Sequence, residues 1–154
     1  MKTLTKPDGG KVKPDAYLDL YNDQAGCIIR LHEVRDPAKV KAIKEDLLKN
    51  GWTGRPLLIY ETPDKTRYAF TGSHRLAAIK EISNDINIDA SHIKVPVKKI
   101  DPERLEKYAE ENDVTIDDIL SGDDYHKLDV LEEIDPEAAR LMEEEIDALD
   151  ESFN

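Results

Sequence analysis

Arg67-Tyr68-Ala69-Phe70-Thr71-Gly72-Ser73-His74-Arg75-Leu76-Ala77-Ala78-Ile79 is the stretch from which the rest of the chain can be ordered. Residues Arg67 to Thr71 are rich in β-formers and predict a strand. Gly72-Ser73 breaks that run, and from His74 to about Ile82 the residues Leu76, Ala77, Ile79 and Ile82 recur at helical spacing. A strand that turns at a glycine into a helix leaves unpaired amides and a partial positive charge at the helix start, which favours an anion. Gly72 allows a sharp turn and close approach of an oxyanion. Ser73 offers a hydroxyl, and His74 and Arg75 offer side-chain donors, with arginine able to grip two phosphate oxygens. Thr71 joins this loop from the end of the strand. The same residues also read as an ordinary helix opening with a solvated His-Arg first turn.

On the N-terminal side, Leu57-Leu58-Ile59-Tyr60-Glu61 predicts a partner strand, joined through Thr62-Pro63-Asp64-Lys65-Thr66 as a hairpin. Further upstream, Asp36-Pro37 predicts a helix start, with aspartate as cap and proline at the first helical position. Val40, Ile43, Leu47 and Leu48 supply its apolar face, and Asn50-Gly51 its stop. Cys27 to Leu31 predicts a buried strand, in which the single cysteine is a small apolar residue. On the C-terminal side, Ile93 to Ile100 alternates as a strand, and Pro96 argues for an edge position.

Charge divides the chain. Residues 1–100 hold 18 Lys/Arg against 13 Asp/Glu, a balance of +5, whereas residues 101–154 hold 4 against 21, a balance of −17. Three helix-start signals lie in the acidic part, Asp101-Pro102, Thr115 with Asp118, and Asp135-Pro136, each followed by a narrow apolar stripe. The organisation expected is a loose N-terminal arm or poorly regular edge (1–25), a small α/β (α+β) domain with a mixed sheet flanked by helices (26–100), and an acidic helical extension (101–154). One cysteine excludes an intrachain disulfide, and no run approaches the length of a membrane span. With no apolar leader at the N-terminus, a cytoplasmic protein is expected.

Gly72-Ser73-His74-Arg75-Leu76-Ala77-Ala78, a Gly-x-x-Arg between a hairpin strand and an alanine-rich helix, resembles the signature of the ParB/sulfiredoxin fold. Leu31-His32-Glu33-Val34-Arg35-Asp36-Pro37 resembles the acidic segment leading into its first helix. Gly51-Trp52-Thr53-Gly54-Arg55-Pro56-Leu57 resembles its helix–loop–strand entry to the sheet. The resemblance spans roughly residues 26–100. It implies a nucleotide, ATP or CTP with Mg²⁺, whose phosphates lie at the loop 72–75. Among the activities of that fold, sulfinic acid reduction needs a cysteine where Ser73 stands. The ParB clamps carry two adjacent arginines and a basic helix-turn-helix domain, and here an acidic segment follows instead. The serine kinases of the fold use a glutamate before the first helix as general base, matched by Glu33, and a His-Arg pair matched by His74-Arg75. On this resemblance Glu33 and His74 are the catalytic candidates, and a carboxylate near a transferred phosphoryl group can take the proton of the attacking hydroxyl; Glu33 reads equally as a cap or ion-pair partner of the helix that begins at Asp36.

Arg55 is a further candidate for a base or phosphate contact, or else a solvated loop residue before proline. Trp52 either stacks on a base or seals the sheet edge. His32, His92 and His126 have no metal-ligand spacing, so no metal site is expected. No Walker loop and no nucleophile elbow is present. Three functional classes follow: a nucleotide-dependent hydrolase or phosphotransferase; a non-catalytic binding or regulatory protein whose acidic helices engage a basic partner or mimic DNA; and, by family association alone, a ParB-like DNA-binding protein or nuclease. The acidic helices equally read as a solvated appendage.

Overall fold

The computed structural model describes residues 12–31 and 36–151, and within them an α+β fold built on one five-stranded mixed sheet. The strands are β1 (Ala16–Asp19), β2 (Ile29–Arg30), β3 (Leu57–Glu61), β4 (Arg67–Ala69) and β5 (Lys94–Lys99), in the spatial order β1-β5-β3-β4-β2. The hairpin β3–β4 is antiparallel, with Tyr60 opposite Tyr68. β5 runs parallel to β3 and antiparallel to β1, and β2 runs parallel to β4.

Two helices cover one face. Helix α1 (Pro37–Asn50) opens as expected, the Asp36 carboxylate accepting from the N–H groups of Ala38 and Lys39, and ends at Gly51 with φ +75°. Helix α2 (Ser73–Asn84) follows β4. Val40, Leu47, Leu76, Ile79 and Ile82 pack there against Leu57, Ile59, Val95 and Val97.

The acidic residues form four helices, α3 (Pro102–Glu111), α4 (Ile116–Ser121), α5 (Asp124–Ile134) and α6 (Pro136–Glu151). The three expected start signals are the caps observed. The Asp101 carboxylate accepts from the amides of Glu103 and Arg104, Thr115 and Asp118 form a reciprocal capping box, and Asp135 accepts from the Ala138 N–H. A fourth cap, Asp123 on α5, went unread because no proline or capping-box partner marks it. These helices are not splayed into solvent. Leu105, Ile119, Val130, Leu131, Met142 and their neighbours bury Leu58, Tyr60 and Phe70 on the second face of the sheet. Successive β3 residues therefore face opposite cores, which is why Leu57 to Tyr60 reads as an unbroken apolar run rather than an alternation.

Three local expectations need correction. Ala25–Cys27 is a 3-10 turn, and Cys27 is exposed rather than buried in a strand. The strand that follows is only two residues long. Pro96 is on an interior strand, not an edge: the edge place is taken by β1, from the segment read as an arm. The missing amide of Pro96 is tolerated because the parallel pairing with β3 begins only at Val97, and the residue opposite Pro96 is Tyr17 of the short edge strand. No helix among the described residues is long and apolar enough to cross a membrane.

Candidate functional site

The hairpin is extended past β4 by one backbone bond, from the Phe70 N–H to the Leu58 carbonyl at 2.8 Å. It is then closed by a side chain: Thr71 Oγ1 accepts from the Leu58 N–H at 3.1 Å. Thr71 is 5% exposed, and its hydroxyl oxygen is bonded into the sheet. Gly72 turns the chain in the left-handed region (φ +77°, ψ +35°), and a Cβ there would stand 2.5 Å from Leu57 Cδ2. Only glycine meets both demands. α2 starts at once, its first helical bond running from the Leu76 N–H to the Gly72 carbonyl at 2.8 Å.

No side chain caps this end of α2. Among the described α-helices it alone lacks one, since Asp36, Asp101, Thr115, Asp123 and Asp135 cap the others. Ser73 is half-buried at its first position, and His74 is buried. The His74 ring turns away from the loop, its Nε2 accepting the backbone N–H of Asp36 at 3.2 Å.

Arg75 points toward the opposite loop, Gly51 to Pro56. Its guanidinium carbon lies 5.1 Å from the centre of the Trp52 ring, a cation–π contact. Its Nη1 donates to the Arg55 carbonyl at 3.3 Å, and Trp52 Nε1 donates to that same oxygen at 2.9 Å. Trp52 thus packs against the first core and holds Arg75. Gly54, at φ +92°, lets this loop pass close to Arg75, whose Nη2 would be 3.4 Å from a Cβ.

Two hollows meet at the Trp52–Arg75 pair. One is a cleft of about 20 Å³ lined by Trp52, Arg55, Pro56, Leu57, Thr71, Gly72, Arg75 and Leu141. The other, about 190 Å³, lies against α1 between Lys39, Ile43, Asp46, Trp52 and Arg75. The cleft brings together Arg55, Thr71, Gly72 and Arg75 from the sequence-derived set. Among the described residues it contains two cationic side chains, Arg55 and Arg75, and no carboxylate, a lining suited to an anion. Leu141, from α6, is its unforeseen member, and nothing in the local sequence around Leu141 marks it. Glu33, the candidate base, lies outside the described residues. Among those described, no group of three or more His, Cys, Asp or Glu is placed to hold a metal ion.

Comparison of the chain with family models, with curated proteins and with solved structures returns no match.

Proposed function

We propose that this chain is a nucleotide-binding protein of the ParB/sulfiredoxin type, with the polyphosphate of ATP or CTP held at the first turn of α2 between Arg55 and Arg75. One observation carries this: the helix that opens from left-handed Gly72 has no capping side chain, and two arginines line the cleft at that end. Unpaired first-turn amides and guanidinium groups are the two donor types that phosphate oxygens take. The residues present suit the phosphates. They offer no set of carboxylates for Mg²⁺ among those described, so the metal would arrive on the nucleotide's own oxygens.

Binding is the activity proposed. The Nε2 lone pair of His74 is engaged by the Asp36 N–H, and among the described residues, which do not include Glu33, no carboxylate lines the cleft. The test is titration calorimetry with ATP, ADP, CTP and GTP in the presence of Mg²⁺ on the wild type, Arg75→Ala and Arg75→Lys. Loss of a charge-assisted pair weakens binding by about ten-fold or more in Arg75→Ala, and lysine restores little because it cannot fork two oxygens. Heat signals absent for all four nucleotides, or unchanged in both variants, would overturn the assignment.

A second reading, a basic macromolecular partner on the acidic helices, has its own support. Exposed faces of α3 and α5 carry Glu103, Glu106, Glu110, Asp129, Glu132 and Glu133. A field of that sign attracts cationic chains and repels nucleic acid. Retention on immobilised poly-lysine that persists at physiological ionic strength and is lost in high salt would favour it.

A further inference from the structure

We propose that the hollow along α1 seats the base of the bound nucleotide, and that Asp46 selects the base by accepting a hydrogen bond from its exocyclic amine. The proposal rests on the phosphate site argued above and adds to it the far end of the ligand.

The hollow, about 190 Å³ and open to solvent, shares Trp52 and Arg75 with the anion cleft. A ligand whose phosphates lie in the cleft therefore has the hollow as its neighbouring surface. The α1 side of the hollow is one stripe, Lys39, Ile43, Asp46 and Leu47, at the i, i+4, i+7, i+8 spacing that puts residues on a single helix face. Leu47 belongs to the first core, and Ile43 and Trp52 pack against that core while staying half-buried. The fold thus leaves apolar surface uncovered between a few polar groups, which is the usual make-up of a small-molecule seat.

The polar groups say what kind of ligand end belongs there. Lys39 and Asp46 stand seven residues apart on α1, about 10 Å along its axis, so the hollow carries opposite charges at separate places. The cleft is lined by Arg55 and Arg75, whereas the hollow contains a carboxylate, which repels phosphate and favours a hydrogen-bond donor. Oδ1 of Asp46 accepts from Asn50 Nδ2 at 2.7 Å, which leaves Oδ2 to accept from a ligand. Adenine and cytosine each present an exocyclic amine on the edge remote from the sugar, and a carboxylate is a natural acceptor for it. Uracil has no such amine. Phosphates in the cleft, ring on Ile43, Leu47 and Trp52, and amine on Asp46 use each surface according to its chemistry.

The experiment measures affinities by titration calorimetry with Mg²⁺ on the full chain, on Asp46→Ala and on Glu45→Ala. Both positions are exposed on α1, where alanine suits the helix, and Glu45 is a neighbouring carboxylate that does not line the hollow. The probes are ATP, CTP, the triphosphates of purine riboside and of 2-pyrimidinone riboside, which lack only the amine, and tripolyphosphate. The readout is the affinity ratio between a nucleotide and its amine-free analogue, in which the general effect of removing a negative charge near a polyanion cancels. One hydrogen bond to an exposed carboxylate gives a ratio of about five-fold for the tighter of ATP and CTP in the wild type. That ratio falls to about one in Asp46→Ala and persists in Glu45→Ala. A ratio near one in the wild type, with nucleotides and tripolyphosphate all bound, removes the base seat and keeps the phosphate site. A ratio that survives in Asp46→Ala means that the amine is read elsewhere and overturns the seat. No binding of any probe removes the phosphate site and the seat with it.

Discussion

His74 Nε2 accepts the backbone N–H of Asp36 at 3.2 Å, so the first turns of α2 and α1 are bonded to one another across 38 positions of sequence. Asp36 is itself the cap of α1. A displacement of the α2 start is therefore felt at the α1 start through a buried imidazole. An acceptor at this nitrogen requires the unprotonated ring position.

Replacing His74 separates that role from a chemical one. His74→Ala leaves a part-buried N–H without its acceptor and removes buried ring volume, for an expected loss of about 2–4 kcal/mol. Glutamine can present an oxygen where Nε2 lies, so His74→Gln should recover a large part of that loss while abolishing any proton transfer by the ring. Urea unfolding midpoints order the three proteins. Equal midpoints for the alanine and glutamine variants would show that the bond contributes nothing.

Gly72 and Gly51 both have positive φ but differ in ψ and in surroundings. At Gly51 (φ +75°, ψ −169°) a Cβ meets nothing within 4 Å, so Gly51→Ala should cost only the strain of a backbone region that glycine alone adopts readily, about 1–3 kcal/mol. At Gly72 (φ +77°, ψ +35°) left-handed strain of about 1 kcal/mol is joined by an overlap with Leu57 Cδ2 at 2.5 Å, which adds about 1–3 kcal/mol. Thermal melts should show both losses, of which only that of Gly72→Ala depends on Leu57. In a double-mutant cycle Leu57→Ala should offset part of the Gly72→Ala loss. Independent, additive losses would mean that the overlap is relieved elsewhere.

What could be read in the sequence were features whose cause is local. Asp36-Pro37, Asp101-Pro102 and the Thr115–Asp118 box act within one helical turn, and each is the observed cap. The hairpin of β3 and β4 and the glycine opening of α2 are also short-range, and both are present. Long-range relations left no such mark. Pro96 carries an edge signal in isolation, yet β1 arrives from 75 or more residues earlier and takes the edge. Trp52 holding Arg75, and Leu141 entering the cleft, depend on which elements meet in space. The apolar stripes of α3–α6 were visible, but an amphipathic stripe does not name the surface it covers.

That surface is the second face of the sheet, and its removal has a definite consequence. Leu58, Tyr60 and Phe70 are at most 2% exposed because α3–α6 cover them. A chain ending at residue 100 would present all three to water as one apolar patch. It should lose its cooperative melt and bind a hydrophobic dye. Within the full chain, Leu131→Ala should cost about 2–5 kcal/mol, the range for a buried leucine in a packed core. A cooperative transition for residues 1–100 at the Tm of the full chain would show instead that the helices are dispensable.

Lys127 provides a test with a sign. It is fully buried on α5, its ammonium donating to the Gly122 carbonyl at the end of α4. Burial holds its pKa below the ordinary 10.5, with the charges of Asp124 and Asp123 opposing the shift. Between the lowered folded value and 10.5 the unfolded chain binds more protons than the folded one, so in that window stability rises with pH. Below the window the cost of burying the charge is fully present; as pH climbs through it the folded ammonium gives up its proton and the cost falls away. Lys127→Met has no such proton to lose. The Tm of the wild type relative to Lys127→Met should therefore increase from neutral pH to about 10. Other groups that titrate there, Lys80 and Tyr60 among them, are common to both proteins and cancel in the difference. A difference that is flat over this range, or that falls, would mean that Lys127 reaches solvent in the folded protein and that α4 is held to α5 by something other than this buried ammonium.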